Sequence, residues 1–128
     1  MAGFLLDTHT ALWYFSGDER LSKAANEIIR NYPNPICLSI ASAWELAIKI
    51  CLGKMRFTGK AAGFIHLAEE DDFTILPIKT AHLSALETLP MIHRDPFDRL
   101  LIATAIAEKM TIITMDENIV KYDVSCIW

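Results

Sequence analysis

Four carboxylates in this chain stand where an α/β protein does chemistry. Asp7 ends the apolar run "GFLLD", Glu45 lies in "SAWELAIK", Asp98 in "DPFDRLLIA", and Asp116 ends "TIITMD". Crowded anions repel, raise one another's pKa, and are best tolerated with a cation among them. Oxygen donors alone suit a hard ion such as Mg²⁺ or Mn²⁺. Such an ion fits phosphoryl transfer to water, because it binds a phosphate oxygen, orients a water and stabilises the leaving oxygen. The acids come with no competent thiol or histidine set, so zinc is not expected.

Each acid also has a plainer role. Asp7 can cap a helix starting at Thr8, and Asp116 one starting at "ENIVKY". Glu45 and Lys49 are spaced for an i,i+4 pair worth a few tenths of a kcal/mol. In "HRDPFDRLLIATA" (93–105), Asp95 suits the N-cap, Pro96 the first helical position and Asp98 the third. The helical face separates the last two acids. Asp98 shares its stripe with Leu101, Ile102 and Ala105, where a carboxylate is costly unless paired or bound to a metal. Asp95 precedes the helix and can face solvent. Capping therefore accounts for Asp95 and leaves Asp98 over.

The elements that must position these groups follow from periodicity. Short apolar runs at 3–7, 35–39, 73–78, 111–116 and 124–128 read as strands. Between them, helices are expected at 8–16 (ended near Gly17), 21–32 (stopped by Pro33 and Pro35) and from Ser39 or Ser42 to about Leu52. Further helices are expected at 61–70, from a Thr80 cap to about Leu89, and from Pro96 to about Lys109. Strands alternating with helices at this spacing imply a three-layer α/β/α sandwich, with a central parallel sheet of four to five strands. Sites in such sheets form beyond the C-terminal ends of the strands, where all four acids fall.

Composition sets the outer limits. At 128 residues, 52% of them hydrophobic, the chain is expected to be a single domain over 1–128. No apolar run reaches the roughly 18 residues that span a bilayer. The N-terminus has no basic region and no small-residue cleavage site, which points to a cytoplasmic protein. Cys37, Cys51 and Cys126 are odd in number and widely spaced, and read as buried reduced thiols. The net charge of −4 argues weakly against a general nucleic-acid binder, but clustered acids around a metal would produce the same balance.

The stretches "LLDTHTALW" (5–13), "LSIASAWELAIK" (38–49), "LPI" (76–78), "HRDPFDRLLIATA" (93–105) and "IITMD" (112–116) resemble the PIN domain, and within it the VapC-type toxins of bacterial toxin–antitoxin pairs. They occur in the family's order over nearly the whole chain, and "DPFDRLLIA" together with "DTH" and "SAWE" is quite specific. The resemblance implies an α/β/α fold and an endoribonuclease dependent on Mg²⁺ or Mn²⁺. It points to Asp7, Glu45, Asp98 and Asp116 as catalytic, with Asp7, Asp98 and Asp116 on the metal. Thr8 and Thr114 fall beside carboxylates, where their hydroxyls can orient a ligand or a metal-bound water. It further implies a homodimer held inactive by a small antitoxin. Trp13, Leu52 and Met55 are candidates for an apolar antitoxin groove, and Arg99 is the candidate RNA phosphate contact. His9 and His93 stay outside the catalytic set, since a metal-bound water needs no histidine base.

Three rivals are weaker. A haloacid dehalogenase-like phosphatase expects a second Asp two residues after the first, and His9 stands there. A receiver domain needs an acid ending the middle strand and a lysine ending the last; "TILPI" and "VSCIW" supply neither. A non-catalytic α/β binding module, with every acid a cap, leaves Asp98 unexplained.

Overall fold

A computed structural model describes residues 3–128; Met1 and Ala2, where the reading of the N-terminus begins, lie outside the described residues. Among those described, five strands form one parallel sheet: β1 (Phe4–Leu6), β2 (Ile36–Ser39), β3 (Thr74–Leu76), β4 (Thr111–Ile113) and β5 (Cys126–Ile127). Their spatial order is β3-β2-β1-β4-β5. The chain thus builds outward from β1 on one side, then returns to build on the other. That makes the C-terminal edge between β1 and β4 the switch point, where such sheets hold their ligands.

Among the described residues seven helices cover the sheet: α1 (Thr8–Ser16), α2 (Lys23–Asn31), α3 (Ile40–Cys51), α4 (Lys60–Glu70), α5 (Thr80–Glu87), α6 (Pro96–Glu108) and α7 (Glu117–Val120). Alternation along the strands sorts them into two layers. Leu6, Leu38 and Ile113 pack with Ala11 and Leu12 of α1, Ile29 of α2, Leu46 of α3 and Phe64 of α4. Leu5, Cys37, Leu76 and Ile112 pack with Leu101, Ile102 and Ala105 of α6 and Ile119 of α7. The three-layer α/β/α sandwich is therefore observed, with five strands.

Local signals explain most boundaries. Asp7 caps α1, and Gly17 ends it with φ 68°, a left-handed turn that glycine adopts without strain. Ser22 accepts from Ala25 N at 3.0 Å and starts α2. Ser39, rather than Ser42, caps α3 through Ala41 N at 3.0 Å. Asp95 and Pro96 open α6, whose residues 99–105 are all buried.

Two expectations need correction. Thr80 does not cap α5: the N-cap is Lys79, and the His82 Nδ1 accepts its backbone N–H at 3.2 Å. His82 is 1% exposed and sets its Nε2 against Glu108 Oε2 at 2.6 Å, so a buried imidazole ties α5 to α6. The cysteines are all free but not all buried; Cys51, in the last turn of α3, is exposed.

Candidate active site

The site begins with the turn after β1. Asp7 lies at the N-cap of α1, and its Oδ1 accepts from His9 N at 2.7 Å and Thr10 N at 3.3 Å. Its Oδ2 accepts from the Thr114 hydroxyl at 2.5 Å. Asp7 is buried, and burial pushes its pKa up against the pull of these donors. The capping role and the site role therefore coexist, each using a different oxygen.

Thr114 also fixes the second acid. Its oxygen accepts the backbone N–H of Asp116 at 3.0 Å, while the Asp116 carboxylate accepts from Asn118 N at 2.9 Å and caps α7. Thr10 donates to Ile113 O at 2.9 Å and Asp7 N to the same carbonyl at 3.3 Å. These bonds lock the ends of β1 and β4 together at the switch point.

Glu45 enters from α3. The predicted pair with Lys49 exists, at 2.8 Å to Oε2, but Glu45 is 4% exposed and its Oε1 is buried without a hydrogen-bond partner. An orphaned buried carboxylate oxygen is costly. Nearby, the Thr8 hydroxyl donates to Ser42 at 2.9 Å, bonding the start of α1 to α3; Thr8 thus braces helices rather than touching an acid. Trp44, which precedes Glu45, meets Phe97, which precedes Asp98, edge to face at 5.1 Å. That contact joins α3 to the start of α6.

Asp98 is where the charges meet. Burial first, then the charges of Asp95, Asp116, Asp7 and Glu45, push its carboxyl up to about 7. All three other predicted acids therefore act on Asp98. They are not gathered as tightly as ligands around one ion. Among the described residues, the group whose ligand atoms all lie within 4.8 Å of one another is His93, Asp95 and Asp98. His93 Nε2 stands 3.3 Å from Asp98 Oδ2. Sequence reasoning left His93 out, and its only signal was its place five residues ahead of Asp98. Asp95 caps as predicted, its Oδ1 accepting from Phe97 N at 2.8 Å and Asp98 N at 3.2 Å.

The residues fit a divalent cation. The donor set is carboxylate oxygen, one buried oxygen lacks any partner, and a cation would offset the repulsion that raises Asp98.

Arg99 needs correction as a free phosphate contact. It is 9% exposed, and its Nη1 donates to Pro90 O at 2.8 Å and to the Tyr122 hydroxyl at 3.0 Å. A guanidinium on the buried face of α6 is spent on these acceptors. The three groove candidates differ in exposure. Trp13 is half-buried, with Arg20 stacked over its ring at 4.8 Å and Trp128 edge-on at 6.0 Å. Met55 is partly buried against the core, and Leu52 is exposed. An apolar groove runs between α3 and α4, lined by Ile40, Trp44, Ala47, Ala61 and Ile65.

A parallel α/β sheet with acids from four chain segments around its switch point defines an acidic-site protein of the doubly wound class. More narrowly, the chain belongs to the PIN domain family, whose profile matches residues 4–125. It is similar to Ribonuclease VapC22 of Mycobacterium tuberculosis, at 26% identity over 119 residues, 93% of this chain and 91% of that protein. Its fold is similar to VapBC2 from Rickettsia felis bound to a promoter DNA fragment, with TM-score 0.74, 15% identity and 98% of each chain covered. It is also similar to FitAcB from Neisseria gonorrhoeae, with TM-score 0.67 and 20% identity over 98% of this chain and 96% of that one.

Proposed function

We propose that this chain is a metal-dependent endoribonuclease, the toxin of a toxin–antitoxin pair. The observation that carries the reading is Asp98, raised to about 7 among Asp7, Glu45 and Asp116 on a PIN domain. Asp7, Asp98 and Asp116 would hold Mg²⁺ or Mn²⁺, with Glu45 completing the catalytic set. The ion, when bound, supplies charge for the phosphate and orients the attacking water.

The protein's own part is positioning. Thr114 holds the Asp7 carboxylate and the Asp116 backbone together. Lys49 holds one Glu45 oxygen and leaves the other available. Asp98 accepts a proton when no cation is present, so cation and proton compete for it.

The name of the Mycobacterium relative and the complexes named for the structural relatives support RNA as substrate and an antitoxin as partner. Residues 1–128 would work as one cytoplasmic nuclease domain, as a homodimer. Among the described residues no helix is long and apolar enough to cross a membrane. A dehalogenase-like phosphatase is disfavoured by the family match, and a pure binding module by the partnerless Glu45 oxygen.

The test is cleavage of RNA by the purified chain with Mg²⁺, Mn²⁺ or EDTA, beside Asp7→Asn and Asp98→Asn. Cleavage that needs the ion and both carboxylates is expected. Equal cleavage by wild type and both variants, or cleavage in EDTA, overturns the reading.

A further inference from the structure

We propose that His9 and Arg20, both resting on Trp13, form a stacking platform beside the acids for unpaired bases of the RNA. The inference rests on the ribonuclease reading above and deepens it, because it makes an unpaired strand the preferred substrate.

The platform starts at the site. His9 lies two residues after Asp7, and its backbone N–H donates to Asp7 Oδ1 at 2.7 Å. One turn further along α1, Trp13 meets the His9 ring at 6.0 Å between centroids, tilted by 47°. The Arg20 guanidinium stands over the Trp13 ring at 4.8 Å. Trp128 abuts Trp13 edge to face at 6.0 Å. Trp128 follows β5 at the sheet edge where the acids lie, for Thr114, whose hydroxyl holds Asp7, donates its N–H to Ile127 O at 3.0 Å.

Arg20 is fixed in its plane. Asp18 accepts from its Nε at 3.0 Å, from its Nη2 at 2.7 Å and from its backbone N–H at 2.9 Å. This fork occupies one edge of the guanidinium and balances its charge, so Arg20 suits stacking better than phosphate binding. Its side chain is 65% exposed, and His9 is exposed too. Packing alone does not account for them. An exposed Asp–Arg pair and an exposed cation–π contact each add little to stability. Planar rings and guanidinium groups that stay exposed are what unpaired bases stack on.

The charges around the acids favour such a contact. Lys49 is spent on Glu45, and Arg99 on Pro90 and Tyr122. The acids repel phosphate, and the chain carries a net charge of −4. Apart from the ion, a strand held here gains from contacts that do not depend on charge, and stacking is one. Lys23 and Arg30 line the cleft beside Trp13 together with Asp18, which places cations next to the platform for phosphates between stacked bases.

The test uses the whole chain in EDTA, where the ion-dependent reading expects binding without cleavage. Fluorescence anisotropy measures affinity for a labelled single-stranded RNA of about ten nucleotides and for the same RNA in a duplex. Wild type is expected to bind the single strand on the order of 10-fold more tightly. His9→Ala and Arg20→Lys should each weaken single-strand binding ~5-fold or more. Arg20→Lys keeps the charge and loses the plane, which separates stacking from charge. His9→Phe keeps a ring and should bind nearly as wild type does. Thermal melting of each variant checks that the fold is retained.

Equal affinity of wild type for the two RNAs overturns the proposal, as does wild-type affinity in either His9→Ala or Arg20→Lys. The cluster is then packing around Trp13. Ion-dependent cleavage that persists alongside such a result leaves the nuclease reading standing. Stacking-dependent binding without ion-dependent cleavage keeps the platform and removes the nuclease.

Discussion

Thr114 donates its hydroxyl proton to Asp7 Oδ2 at 2.5 Å, across 107 positions of sequence. The Thr114 Oγ1 in turn accepts the Asp116 N–H, so one side chain sets the spacing of two acids that follow neighbouring strands. Thr114→Val keeps the shape and removes both bonds. It should destabilise the protein by about 1–3 kcal/mol, because Asp7 stays buried with one donor fewer. Divalent-ion affinity should fall on the order of 10-fold or more, while Thr114→Ser stays near wild type. Calorimetric titration and thermal melting check both; unchanged affinity in the valine variant would show that Thr114 positions nothing.

Asp98 ties stability to pH. Its carboxyl rises from 3.8 to about 7, so the folded state holds the proton more tightly than the unfolded chain does. Stability from this group is therefore full below about pH 4 and falls as pH rises towards 7. Ionised Asp98 costs on the order of 2–4 kcal/mol in the metal-free protein. Asp98→Asn should thus raise the metal-free melting temperature at pH 8, raise it clearly less at pH 5, and abolish RNA cleavage. A gain of equal size at both pH values would mean that repulsion is not the cause.

Divalent ions should reverse the repulsion. With an ion at about 100 times its Kd, wild type should gain about 2.7 kcal/mol, read as a higher melting temperature. Asp98→Asn should gain much less. Differential scanning calorimetry with and without EDTA measures the contrast.

Lys49 carries half of the Glu45 problem. Lys49→Met leaves a carboxylate that is 4% exposed without its partner. A loss of about 1–3 kcal/mol is expected in EDTA, with part restored by Mg²⁺. A variant as stable as wild type under both conditions would remove Glu45 from the charged cluster.

Arg99 and Asp95 separate scaffold from substrate contact. Arg99→Met should lower stability by about 2 kcal/mol or more through lost buried hydrogen bonds. The salt dependence of RNA binding should keep its slope, since no phosphate contact is removed. A slope reduced by about one would restore Arg99 as an RNA ligand. Asp95→Asn should melt like wild type, because Asn caps as well as Asp, and Asp95→Ala should cost about 1 kcal/mol.

Much of this protein follows from local rules. Apolar runs bounded by turns, a serine cap at Ser39, and the Asp95–Pro96 start give the strands and helices to within three residues. Their alternation implies the parallel sandwich, and the strand-end rule picks out Asp7 and Asp116. Asp98 is singled out because a carboxylate on an apolar stripe needs a partner. All of these signals lie within a few residues of the groups they explain.

What the tertiary structure alone decides are meetings between distant segments. Trp44 against Phe97 brings Glu45 towards Asp98, and nothing in either segment announces the other. Arg99 reads as a surface cation until Tyr122 and Pro90 take its donors. His93 reads as an isolated residue until its backbone N–H meets that same Tyr122 and its Nε2 stands 3.3 Å from Asp98 Oδ2. Periodicity tells which face a residue is on, because the backbone repeats every few residues. It does not tell which side chain from elsewhere fills the space opposite, since that depends on strand order and packing.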